Sequence, residues 1–138
     1  MSIDNFWPDD LLAHIPRTPK HIMLEQASAL GDKTNNVIQA RVASVTSSTG
    51  DFKHRFLIFT PALKGYSYEL FNVSHGPSLY PVYINVIEAP ARDEGNFVEG
   101  LKSLFSSDRT IRIIRAIAAQ ARSEEFASGQ DEEDMPPF

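Results

Sequence analysis

Phe52-Lys53-His54-Arg55-Phe56-Leu57-Ile58-Phe59-Thr60 and Tyr66-Ser67-Tyr68-Glu69-Leu70-Phe71-Asn72-Val73-Ser74 decide the fold. Both stretches are dense in aromatic and branched apolar residues, the composition that suits a pleated, half-buried backbone. Ser47-Ser48-Thr49-Gly50-Asp51 precedes the first and reads as a hairpin turn. Residues 61–65, opened by Pro61 and closed by Gly65, separate the two. Upstream, residues 37–47 are rich in β-branched side chains and predict another strand. Downstream, His75-Gly76-Pro77-Ser78 turns the chain again, and residues 79–88 predict a fourth strand. Four strands with short connections predict an antiparallel meander.

Alternation assigns faces. In the first stretch one face carries Phe52, His54, Phe56 and Ile58, and the other Lys53, Arg55, Leu57 and Phe59. In the second, Tyr66, Tyr68 and Leu70 share one face, and Ser67, Glu69, Phe71 and Val73 the other. Both faces are partly apolar. A sheet of that kind implies a dimer interface or a ligand surface over the side that helices leave open.

Helices flank this block. Thr18 is a capping residue and Pro19 suits the first helical position. Ile22, Met23, Ala27 and Leu30 recur at amphipathic spacing, and Gly31 fits a stop, so a helix is expected over residues 19–30. Phe97, Leu101, Leu104 and Phe105 fall at helical spacing, Ser106-Ser107-Asp108 marks a break, and Ile111, Ile114, Ile117, Ala118 and Ala121 stripe a further helix to about Arg122. The expected class is α+β: a four-stranded antiparallel sheet, with an N-terminal helix and C-terminal helices packed on one face. Residues 1–123 form a single domain, and residues 124–138 read as a disordered acidic tail.

Composition narrows the function. Cysteine is absent, which excludes disulfides and thiolate chemistry. No apolar run is long enough to span a membrane, and residues 1–20 lack a signal-peptide pattern; a cytoplasmic location is expected, with no membrane partner. The formal charge of −5 is unevenly spread. All 13 Lys and Arg lie in residues 1–123, against 12 Asp and Glu, so that region is at +1, and the other six acids lie beyond it. A near-neutral body with a separate acidic segment is compatible with a polyanionic ligand.

That segment is Asp131, Glu132, Glu133, Asp134, Met135, Pro136, Pro137 and Phe138. Acids steer a peptide toward a basic surface, prolines hold it extended, and an aromatic ring with an adjacent carboxylate suits a pocket beside a basic residue. The eight residues resemble the C-terminal tip of bacterial and phage single-stranded DNA-binding proteins, in which an acidic run ends in an apolar residue, a proline and a phenylalanine. Pro136 is an insertion relative to that pattern, moving Met135 one residue further from Phe138. The resemblance implies docking onto replication, recombination and repair enzymes. The strand-then-helix order also resembles the PC4/Whirly type of single-stranded DNA binder, in which a curved sheet grips the strand within a dimer; the N-terminal helix lies outside that pattern.

Binding single strands without sequence preference needs cations along the backbone path and flat rings for the bases. The candidates are Arg41, Lys53, Arg55, Lys64, Tyr66, Tyr68 and Tyr83, and strand register decides whether they share a surface. Their other reading is a solvated face with the aromatics that strands ordinarily carry. Arg109, Arg112, Arg115 and Arg122 form a ridge on the last helix. It reads as a solvated face, or as a contact for phosphates or for the acidic tail of the same or another subunit. His14, His21, His54 and His75 have no metal-ligand spacing, and no phosphate-binding loop is present, so neither an enzyme nor a cofactor is expected. The expected function is that of a homodimeric single-stranded DNA-binding protein of replication or recombination. The alternative is a dimeric interaction module that does not bind DNA, whose tail docks on a partner.

Overall fold

A computed structural model describes residues 4–134. The elements run α1 Pro19–Lys33, β1 Gln39–Thr46, β2 Phe52–Phe59, β3 Tyr68–His75, β4 Val82–Ile84, α2 Glu94–Phe105 and α3 Asp108–Asp134. The four strands form one antiparallel sheet in chain order. This is the α+β arrangement that the hydrophobic pattern predicts. No helix among the described residues is long and apolar enough to cross a membrane.

Thr18 caps α1, accepting from the His21 amide at 3.0 Å. The helix passes through Gly31, where the sequence pattern placed its end. Thr34 caps it instead: its hydroxyl lies 2.9 Å from both the Leu30 and Ile38 carbonyls, with one hydrogen to donate to either, and accepts from the Ile38 amide. Asn35 and Asn36 take the left-handed conformations expected of a glycine, at φ 52° and 65°. The Asn36 amide closes the end by donating to the Gly31 carbonyl at 2.8 Å. One threonine thus ties α1 to the start of β1.

The pairing of β2 with β3 is the centre of the core. Phe56 lies opposite Phe71, but Leu57 lies opposite Glu69, so Leu70 is an unpaired bulge residue. The bulge breaks the expected alternation of β3. Tyr68, opposite Ile58, and Phe71, opposite Phe56, both fall on the side of the core, and Leu70 is buried with them. Phe56 and Phe71 stack with centroids 5.0 Å apart, and Phe105 of α2 closes the cluster at 5.6 and 5.8 Å. Ile22 and Met23 of α1, Phe97, Leu101 and Leu104 of α2, and Ile117 of α3 complete the core on this face.

Two further elements differ from the sequence pattern. β4 has three residues instead of the ten in residues 79–88. Pro81 offers no amide hydrogen, Leu79 sits at φ 75°, and the Asn85 side chain accepts from the Asn72 amide at 2.8 Å, so regular pairing stops on both sides. α3 continues past Arg122, where the apolar stripe ends. Residues 123–129 are exposed, so their helix is held by backbone bonds and by Ala and Glu propensity, not by packing. Residues 135–138, which include Met135, Pro136, Pro137 and Phe138 of the partner-binding tail, lie outside the described residues.

A polar chain crosses the other end of the sheet, from exposed Ser44 to the buried His54 and His75. His75 Nδ1 lies 2.8 Å from the Gly76 carbonyl, which only accepts, so Nδ1 carries the proton. His75 Nε2 then accepts from His54 Nε2 at 3.1 Å, and His54 Nδ1 accepts from the Ser44 hydroxyl at 2.7 Å. Burial, with His75 and Lys20 nearby, lowers the pKa of His54 from 6.5 to about 4.

Two outcomes follow from this core. Phe71→Ala removes a fully buried ring at the bulge and is expected to cost about 3–5 kcal/mol in urea unfolding. The native state binds His54's proton more weakly than the unfolded chain, so stability is full above pH 6.5 and falls as pH drops toward about 4. With solvent screening allowed for, the loss is on the order of 2 kcal/mol. Melting temperatures across that window should fall in the wild type and flatten in His54→Asn; a wild-type profile without slope would refute the assignment.

Candidate nucleic-acid interface

The helices cover one face of the sheet and the register defines the other. Val45, Lys53, Ser74 and Tyr83 stand opposite one another across all four strands. The next row is Ala43, Arg55 and Asn72, and the next Arg41, Leu57 and Glu69. Cross-strand partners share a face, so Arg41, Lys53, Arg55 and Tyr83 are on one surface. Leu57 is buried yet belongs to no part of the main core, as its place on this second face requires. Tyr83 is 54% exposed and Val45 is 60% exposed. Arg41, Lys53 and Arg55 are also exposed.

Charge on the face is graded. Arg55 donates through Nε to Glu69, and Asn72 adds a second donor to that carboxylate at 3.0 Å. These hydrogen bonds, Arg55's first, hold the Glu69 carboxyl below its usual range. Arg55 is therefore partly neutralised and oriented. Arg41 and Lys53 have no ion-pair partner among the described residues. The surface offers two free cations, one clamped cation, an exposed ring and the small polar groups of Ser74 and Asn72. That set suits a strand of phosphates and bases more than a compact anion.

The other candidates lie elsewhere. Lys64 and Tyr66 are exposed in the β2–β3 connection, with the Tyr66 amide donating to the Leu63 carbonyl at 3.1 Å. Tyr68 is on the core face, and its hydroxyl accepts from Arg109 at 3.0 Å. The bulge separates Tyr68 from Lys53, and no local sequence pattern marks that bulge. Arg109 is thereby engaged by the sheet, while Arg115 faces a cleft between α1 and α3. Asp131, Glu132, Glu133 and Asp134 fall within the span of α3.

Sequence reasoning missed the Ser44–His54–His75 chain, because its members come from three strands. It has the connectivity of a nucleophile, a base and an orienting group. A histidine with a pKa of about 4 is a weak base at neutral pH, so the chain reads as a structural link between hairpins. Among the described residues no three metal-binding side chains cluster. Comparison with known proteins gives no matching family model, no matching curated protein and no matching solved structure.

Because Arg41, Lys53 and Arg55 are exposed, replacing each by Ala is expected to change stability by no more than about 1 kcal/mol, Arg55 included despite its ion pair with Glu69. Thermal melts check this. A larger loss for Lys53→Ala would mean that the face is covered, and not open.

Proposed function

We propose that this chain binds single-stranded DNA across the open face of its sheet and uses residues 131–138 to recruit partner proteins. The observation that carries the reading is the register, which gathers Arg41, Lys53, Arg55 and Tyr83 on the one face that no helix covers. Cations neutralise phosphates at a spacing set by the strands, and Tyr83 presents a ring for base stacking. Lys64 and Tyr66 extend the candidate surface from the adjoining connection. The contacts are to backbone and base planes, so little sequence preference is expected. The acidic segment competes with phosphates for the same cations, which couples partner docking to DNA release. Replication and repair enzymes are the proposed partners, and a homodimer in the cytoplasm is the proposed setting.

A second reading has its own support. Val45 is exposed and Phe59 half-buried on this same face, so a second copy could bury it. The chain would then be a dimeric interaction module without DNA.

Fluorescent oligo-dT titrated in a salt series separates the two. Binding should weaken steeply with salt, and Lys53→Ala should lower the slope of log K against log salt by roughly one. Tyr83→Ala should cost about 1–3 kcal/mol of binding. A chain ending at Gln130 should bind at least as tightly as the full one. No binding at low salt would remove the DNA reading and leave the interaction module.

A further inference from the structure

A mainly apolar cleft lies on the core side of the sheet, away from the open face. α1 and α3 splay apart over the core side of the sheet and leave a cavity of about 500 Å³. Phe56, Leu70 and Phe105 form its floor, and Leu30, Ile111 and Ile114 its walls. Among the described residues its charged lining is Lys33 and Arg115, one from each helix. Neither is in an ion pair among the described residues. An apolar slot with two cations and no acid is complementary to an apolar segment that carries negative charge.

This chain contains such a segment. Residues 131–134 are all acidic, and Met135 and Phe138 follow with two prolines between them. The segment cannot fold back into the cleft of its own chain while α3 is intact. From Arg115, at the cleft, to Asp134, the helix advances roughly 28 Å. Residues 135–138 reach at most about 14 Å even when extended. The helix that forbids docking in cis runs exposed over residues 123–129, past its packed part, before it reaches residues 131–134.

We propose that residues 131–138 of one copy dock into the α1–α3 cleft of a second copy, with Met135 and Phe138 on the apolar floor and the acids against Lys33 and Arg115. The contact is head-to-tail, so repetition gives a chain of subunits unless the ring closes. It also places the recruiting segment and its cleft in one competition: a partner that takes the segment releases the neighbour. None of this depends on DNA, and the assay below contains none, so its failure and that of the nucleic-acid reading are separable.

The test is a fluorescein-labelled peptide of residues 131–138 titrated into the full-length chain, at concentrations where the chain is monomeric. Saturable binding is expected, weakened about tenfold or more by Lys33→Glu with Arg115→Glu. A peptide with Met135→Ser and Phe138→Ser should lose binding, and this arm requires no change to the protein. A peptide with lysines for its four acids should regain affinity for the doubly substituted chain. In sedimentation velocity, Met135→Ser with Phe138→Ser in the full chain should abolish concentration-dependent association. Peptide binding that ignores both the Lys33/Arg115 change and the Met135/Phe138 change would overturn the proposal. So would self-association that survives loss of Met135 and Phe138, which would point to a contact such as the open sheet face. A chain that stays monomeric at every concentration would overturn it as well.

Discussion

The contact of Phe71 with Phe56 and Phe105 is the constraint on which the other features depend. It joins the two central strands to α2 through three rings within 5.8 Å. Because Phe71 must face that cluster, β3 accommodates Leu70 as an extra residue. The bulge sends Tyr68 to the helix side, where Arg109 of α3 meets it, and returns Glu69 to the open side, where Arg55 meets it. One irregularity in the ladder thus distributes charge and aromatic rings between the two faces of the sheet.

The two faces then have different physical characters. The core face is filled by α1 and α2, and α3 packs on it through Ile117 with Ile113, Ile114 and Ala118 half-buried beside it, which leaves the cleft beside Lys33 and Arg115. The open face buries little beyond Leu57 and holds its cations apart along two strands. A surface of spaced charges with one ring suits an extended polyanion, whereas a half-open apolar cleft suits a short peptide. The two proposed contacts therefore use different faces and need not exclude each other sterically. Their link is electrostatic, through the acidic segment.

Much of the architecture was legible in the sequence. The strand pattern around residues 52–60, the Ser47–Asp51 turn with Gly50 at φ 90°, and the Thr18-Pro19 helix start are local signals, and the structure realises each. What was illegible depends on distant partners. Gly31 looked like a helix stop because the capping by Thr34 requires Ile38 to be in place. Residues 79–88 looked like a full strand because Asn85's bond to the Asn72 amide comes from another strand. The site divided in the same way. Lys53 and Arg55 were placed together by alternation alone, Arg41 and Tyr83 joined them only through register, and Tyr68 left them through a bulge. The Ser44–His54–His75 chain spans three strands and had no sequence signature.

The most direct measurement is a two-dimensional NMR titration of the isotopically labelled chain with oligo-dT at low salt, with the shifted residues mapped onto the two faces of the sheet. The expected result is that shifts concentrate at Arg41, Lys53, Arg55, Ser74 and Tyr83, while Leu30, Ile111 and Ile114 stay fixed. Shifts confined to the α1–α3 side, or none at saturating oligonucleotide, would contradict the assignment of the open face as the DNA-binding surface.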